Sequence, residues 1–559
     1  MSKEVLALNA DVWWTSVNAA IGSPTGWAWD RRSGQEVLIA TDFASRLPKL
    51  DRALRKGGHT MKFRMVIASM IVAIMATTST AKRLSAQTVS SSKVKHQTYA
   101  VVVLPPNGGP DSFLAGYLFP YAPLTNGGTI GAYGDTSTGA NNSYIWTNGK
   151  QVDLEALPQL SDLTGTGTYI NWINQWGLAA GYGTRTNSVT QASLDNAAIW
   201  FPNGQIFPLK TPEGGQSHAV WINDFGQASG WIAPNSIADP CAFGVGLQSQ
   251  GVVWEGGFVR PLGTLGGTDS YGEFINDLGQ ISGHSQTSNV VNSNIGCPPF
   301  DPFIWQNGKM TDINPGNFGG AEGGTNFLNN QGQAVGFGTL PGEAEAHPFL
   351  WNRGKLTDLY NVGNLGGPLS SAINVNDVGH VVGLSTTADG EFLAVLWRDG
   401  EFTNLMTLSA DGDDCSEPYR INSLDQIVGV SFSCETGVEH AFLWEGGEME
   451  DLNTLIPADS GLELESANWI NDDGVITAQA VLTQGDNSGD FRAVLLIPTG
   501  EWFDDTQTVK SKSASSDAMT GTSKMRSLVQ TRDGQVNPIL LRPFAPAVLV
   551  GKSRSDPMP

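Results

Sequence analysis

A chain of 559 residues, 40% of them hydrophobic, is long enough for about three or four ordinary domains and for an ample buried core. Only 15% of its residues are charged while 67 are glycine, a balance that suits an all-β protein with many tight turns. The net charge of −22 divides into +6 over residues 1–86 and about −28 over the rest, which argues against nucleic acid or an anionic membrane surface as the main partner, because both need basic patches.

Taken in chain order, the first recognisable element is "MKFRMVIASMIVAIMATTSTAKRLSAQ", beginning at Met61. Lys62 and Arg64 form a short basic region and residues 65–76 an apolar one. Ala81 and Ala86 each end a run of small residues suited to cleavage. This is the layout of a secretory signal peptide over residues 61–86, with an apolar core shorter than a membrane span. Translation is then expected to start at Met61, leaving residues 1–60 as a spurious extension. The competing reading is a genuine extension with residues 65–81 as an anchor. The mature protein is expected to be secreted or extracellular, with a periplasmic location as the variant, and to hold no membrane span.

From residue 97 to 505 the chain repeats itself, and a repeat must be recognised before local structure is read. An Ile-Asn frame recurs at Ile173-Asn174, Ile222-Asn223, Ile275-Asn276, Leu328-Asn329, Val375-Asn376, Ile421-Asn422 and Ile470-Asn471, with a degenerate copy around Leu124 and Gly128. After each comes an apolar run ending in Trp146, Trp200, Trp254, Trp305, Trp351, Trp397 or Trp444, with Leu496 in the eighth copy. Successive tryptophans are 54, 54, 51, 46, 46 and 47 residues apart. Each period reads as four short strands. In "INDFG" the first three turn residues fit a type I turn, Asn223 bonds its own turn backbone, and Gly226 takes the left-handed conformation that a bulge residue needs. In the seventh copy Asp425 replaces that glycine, and aspartate tolerates the same region. A second glycine (Gly230, Gly283, Gly336, Gly383) falls inside a strand, where it signals either a bulge or a close backbone approach.

Four-stranded units of about 50 residues predict a β-propeller. "YAVVVLPPNGGPDS" from Tyr99 aligns with the fourth-strand segment "FVRPLGTLGGTDS" from Phe258, while the eighth period has only a weak fourth strand, "EWFDD". The N-terminal strand is therefore expected to complete the last blade, which also removes an exposed sheet edge. Eight blades is the count adopted, seven with a divergent remainder its competitor and an open β-solenoid third. Residues 506–559 break the pattern. They read as a Ser/Lys-rich linker followed by "NPILLRPFAPAVLV", either a strand that docks on the ring or a sticky end.

Four cysteines, an even number, fit an exported protein. Cys415 and Cys434 stand symmetrically about the turn 423–426 and face each other if the flanking strands pair without a slip. Cys241 and Cys297 lie in equivalent long connections of consecutive repeats, so a bridge there would staple two repeats.

These residues, above all His440-Ala441-Phe442-Leu443-Trp444 and the variant His347-Pro348-Phe349-Leu350-Trp351, resemble the extracellular HAF repeat. The resemblance covers roughly residues 97–505. It implies an exported bacterial repeat protein of propeller-like form, and offers no catalytic residue to carry over.

The sequence contains no Gly-x-Ser-x-Gly, His-Glu-x-x-His, phosphate-binding loop or Cys-x-x-Cys, and no catalytic or cofactor-binding residue is assigned. Asp411, Asp413, Asp414 and Glu417 form a candidate calcium loop without full EF-hand spacing, with a solvated acidic loop as the alternative. His347 and His440, one per repeat, are read as hydrogen-bonded structural residues. The aromatics ahead of the Ile-Asn pair (Trp172, Trp221, Phe274, Phe327, Trp469) are expected to pack between blades. Trp176 and Trp231 lie off that register and are expected to be exposed platforms. The function expected is a non-catalytic binding or scaffold module for protein or carbohydrate, with a carbohydrate-active hydrolase or lyase as the alternative.

Overall fold

The computed structural model describes residues 27–30, 35–38 and 96–503, less short stretches at 117–121, 137–140, 191, 214, 243–245 and 315–317. The chain divides into two units at residues 94/95, and in the first of them Trp27–Asp30 pairs with Gln35–Leu38 as an antiparallel hairpin. The signal peptide expected over 61–86, most of the extension 1–60 and the tail 506–559 lie outside the described residues.

The second unit is all-β, and its described residues contain no α-helix. Its repeats are antiparallel meanders of four strands, and single parallel pairings, Asn142 opposite Thr168 and Ala346 opposite Leu369, join two pairs of neighbouring meanders into eight-stranded sheets. Sheet three shows the pattern: Gln216–Ile222, Ala228–Ala233, Gln250–Glu255 and Phe258–Pro261, hydrogen-bonded in that order. Equivalent units span residues 108–153, 163–208, 270–312, 323–358, 366–406 and 415–451, numbered here one, two and four to seven in chain order. Sheet eight is assembled from both ends of the repeat. Leu462–Ile470, Ile476–Leu482 and Phe491–Phe503 supply three strands, and His96–Val103 pairs antiparallel with the last, from His96 opposite Phe503 to Val103 opposite Val494. "EWF" belongs to that third strand rather than to a fourth. The alignment of the N-terminal strand with fourth strands holds at the hydrogen bonds that follow it: Leu104 N donates to Ala493 O at 2.9 Å, as Leu262 N does to Gly251 O.

Each sheet packs on the next, and sheet eight packs on sheet one, where Phe491 N bonds Asp111 and Ala493 N bonds Ser112 Oγ. The ring is thus a closed β-propeller. The fold is driven by burial between sheet faces: strands such as 228–233, 270–275 and 281–286 are buried at every position, because both faces of a sheet are covered.

The turn reading holds. Gly226 has φ 77° and Asp425, its replacement in sheet seven, φ 64°. Both alternatives for the second glycine are realised together. The first strand of sheet four carries a β-bulge between Gly272 and Phe274, and Gly283 on the second strand lies opposite, where a Cβ would sit 1.9 Å from Tyr271 O.

Cys241–Cys297 and Cys415–Cys434 are both disulfide-bonded. The first staples sheets three and four. The second forms despite a slip: the turn pairs Ile421 with Ile427, a bulge between Pro418 and Arg420 moves the register by one residue more, and the bridge from Cys415, opposite Phe432, reaches two residues farther.

Candidate functional site at the turn end of the ring

All first strands run toward the same end of the ring, where the Asn turns gather. Each turn asparagine serves its own turn and the next sheet at once. Asn223 Oδ1 accepts from Phe225 N and Gln227 N at 3.1 and 2.9 Å, and its Nδ2 donates to Asn276 O at 3.0 Å. The same amide bond runs from Asn174 to Asn223, Asn276 to Asn329, Asn329 to Asn376, Asn376 to Asn422 and Asn422 to Asn471, at 2.9–3.0 Å. Asn471 then reaches Thr125 O of sheet one at 3.2 Å, and Asn126 N completes the circuit to Gln175 Oε1 at 2.8 Å. Those asparagines are buried, so these bonds operate where water cannot replace them. The sequence showed the capping half of this role but not the inter-sheet half, which depends on the spacing between neighbouring turns.

Just beneath the turns the axis is filled. Seven first strands carry a bulge immediately before the residue that precedes the Ile-Asn pair. The extra residue breaks the in–out alternation and re-aims the next side chain. Trp172 stacks on Trp221 at 3.5 Å and meets Trp469 at 4.9 Å, while Phe327 touches Phe274 at 5.6 Å, Trp221 at 6.0 Å and Trp469 at 6.3 Å. Sheets two and eight, or five and eight, are not neighbours, so these rings meet across the axis. They pack as expected of core aromatics, but on one another as a plug rather than between adjacent sheet faces. Sheets six and seven place Asn374 and Arg420 at the same position. The Arg420 guanidinium lies over Trp469 at 4.1 Å and Phe327 at 4.9 Å and donates to Asn374 Oδ1 at 2.9 Å. Sequence reasoning passed over both residues because they are not aromatic. Counting one position back from every Ile-Asn pair would have found them.

The surface above the plug has two kinds of residue. The second turn position is acidic at Asp224, Asp277, Asp377 and Asp472. Some of these carboxylates accept backbone N–H bonds from neighbouring turns, as in Gln175 N to Asp224 and Asp224 N to Asp277, both 2.9 Å. Burial holds Asp224 above the usual carboxylate range; the hydrogen bond from Gln175 opposes that shift and the charge of Asp277 adds to it. The third turn position is apolar and exposed in five sheets: Trp176, Phe225, Leu278, Val378 and Leu424. Phe225 is 75% and Trp176 70% exposed, large values for aromatic side chains. A groove of about 350 Å³ opens between sheets three and four at this end, lined by Glu255, Arg260, Asp277, Leu278 and Trp305. A second, of about 400 Å³, lies at the opposite end between Pro234, Gln248, Gln250 and Thr264.

Trp176 is therefore an exposed platform as expected, one of a set. Trp231 is not. It is 2% exposed and packs against His218, with ring centroids 4.3 Å apart. It sits in mid-strand 228–233, where neighbouring sheets cover either register, so leaving the aromatic register does not lead to solvent.

The four acidic residues of the calcium candidate go to separate tasks. Asp413 is buried and bonds His440 Nδ1 at 3.0 Å, Asp414 accepts from Cys434 N at 2.6 Å, Asp411 ends a short 3-10 turn, and Glu417 lies within the strand 415–421. Among the described residues, the one cluster with metal-ligand spacing is Asp414, Cys415 and Cys434, whose two sulfurs are joined in the disulfide. Burial, and next the charge of Glu439, push the Glu417 carboxyl up to about 8. His347 bonds Asp358 at 2.9 Å, so it and His440 both carry structural hydrogen bonds.

No family model matches the chain, and no curated protein does. Similar solved structures include the β-propeller domain of the Trilobed protease from Pyrococcus furiosus, at 13% identity and TM-score 0.34 over 60% of this chain and 97% of that one. An acylaminoacyl peptidase from Pyrococcus horikoshii has 12% identity and TM-score 0.33 over 66% and 58%. An oligogalacturonate lyase from Vibrio parahaemolyticus has 11% identity and TM-score 0.38 over 63% and 98%. The chain spans 58% of the peptidase's length.

Proposed function

We propose that this chain is an exported, eight-bladed HAF-repeat propeller that acts as a non-catalytic binding module, presenting the turn end of the ring to a protein or carbohydrate ligand. The observation that carries the reading is the aromatic plug. It occupies the axis where propeller-borne chemistry needs polar side chains converging in a cleft, and it leaves the exposed apolar and acidic turns as the distinctive surface. Exposed aromatics set among polar groups are the residue types that anchor ligands. The two disulfides suit an oxidising compartment, and among the described residues no helix is long and apolar enough to cross a membrane.

One observation favours the hydrolase or lyase reading: the raised Glu417 carboxyl beside Glu439, since perturbed carboxylates mark many active sites. The two readings part in one experiment. Glycan-array and pull-down screens are run on the full chain and on the F225S/L278S and E417Q variants. Ligand capture lost in F225S/L278S and kept in E417Q supports the turn end. Cleavage of an arrayed glycan that disappears in E417Q would replace this reading with the enzyme.

A further inference from the structure

The described chain leaves the ring at Phe503, and Phe503 pairs with His96 at the turn end, the end that carries the apolar crown. Beyond it lies a segment whose chemistry is the reverse of that surface. Residues 96–505 hold 45 acidic and 10 basic side chains, whereas residues 506–559 hold 3 acidic and 8 basic. At 539–550 the segment reads "ILLRPFAPAVLV", an apolar run centred on Arg542, with Pro543 and Pro546 three apart.

We propose that residues 539–550 dock on the turn end of the chain's own ring, their apolar side chains against Trp176, Phe225, Leu278 and Leu424 and their cationic flanks over the Asp224, Asp277, Asp377 and Asp472 carboxylates. The inference rests on the reading of this end as the binding surface, and gives that surface an internal competitor for its ligand.

Reach permits it. Residues 504–538 separate the segment from Phe503 by 35 residues, a length over which a flexible chain spans about 33 Å. Packed sheets lie roughly 10 Å apart. Leu424 stands one sheet from the exit, Trp176 two, Phe225 three and Leu278 four; the path across a closed ring is shorter than the path around it, so all fall within that radius. Charge favours it as well: a cationic segment held near a ring of mutually repelling carboxylates lowers their repulsion, an attraction that salt screens. Proline restricts the backbone of a free chain, so a segment with two of them loses less entropy when laid along a surface. The tether supplies the segment at high effective concentration, so modest contacts suffice.

The test uses the full chain and limited trypsin digestion at Arg532 and Lys552, which flank the segment. Cleavage is expected to quicken about fivefold or more in L541S/F544S, and equally in F225S/L278S, whose substitutions lie on the ring. Raising NaCl to 0.5 M is expected to act in the same direction. Equal cleavage rates in wild type and both variants would overturn the proposal. So would protection that fades on dilution, which assigns the occupant to a second copy. Should F225S/L278S misfold by circular dichroism, W176S/L424S takes its place. Ligand screens on L541S/F544S separate this inference from the reading beneath it. A tail protected in wild type with no ligand captured by the released face leaves the docking standing and removes the external ligand, while capture without tail protection does the reverse.

Discussion

Replacing Asn276 with Ala removes one residue that serves two structures. Its Oδ1 accepts from Leu278 N at 3.1 Å and Gln280 N at 2.9 Å, and its Nδ2 donates to Gln280 Oε1 and to Asn329 O of the next sheet, both at 3.0 Å. The side chain is buried, so the backbone groups left behind cannot all recover water. At about 1 kcal/mol net for each buried hydrogen bond, N276A is expected to cost about 3–4 kcal/mol. N276S keeps an acceptor for the turn but cannot span to Asn329, and is expected to fall midway. Urea unfolding followed by tryptophan fluorescence reads both differences. An N276A midpoint corresponding to less than about 1 kcal/mol, or an N276S indistinguishable from wild type, would refute the claim that the asparagines tie sheet to sheet. The converse substitution sharpens the test. Sheet one has Thr125 where the others have asparagine, and T125N, by supplying the missing amide, is expected to raise stability by about 0.5–1 kcal/mol.

G283A should be among the most damaging single-methyl additions in the chain, because its Cβ would fall 1.9 Å from Tyr271 O, a backbone atom that moves only with the bulge; expression as soluble, cooperatively melting protein would contradict this. W231A is expected to lose about 3–5 kcal/mol in denaturant titration, whereas W176A, on the exposed turn, should change stability by less than about 0.5 kcal/mol. Glu417 titrates from an ordinary 4.5 when unfolded to about 8 when folded, so its contribution is present below pH 4.5 and is lost as pH rises through 8. Melting temperatures measured from pH 5 to 9 should therefore fall, and E417Q should flatten the fall; an unchanged slope would show the carboxyl to be ordinary. Reduction of Cys415–Cys434, which closes a loop of sequence separation 19, is expected to lower stability by about 3 kcal/mol in C415S/C434S.

Local and repeated features were legible in the chain before any fold was in hand. The Ile-Asn frame and the tryptophan marker, recurring about every 50 residues, carried the four-stranded unit, the αL residue at Gly226 and Asp425, and the N-terminal strand of the last sheet, because each depends on near-neighbour geometry or on counting. Both disulfides were legible for the same reason. Where equivalent positions from different sheets arrive is set by packing in three dimensions. Whether Trp172 and Trp469, almost 300 residues apart, lie between sheets or across the axis depends on a bulge that re-aims the side chain and on the curvature that closes the ring. Trp231 was misplaced as a platform because exposure is set by the covering sheet, and no property of its own strand reports that sheet. The calcium quartet looked contiguous as written, yet in the connection ahead of strand 415–421 Asp413 goes to His440 and Asp414 to the Cys434 backbone, partners that only the folded hairpin brings within reach.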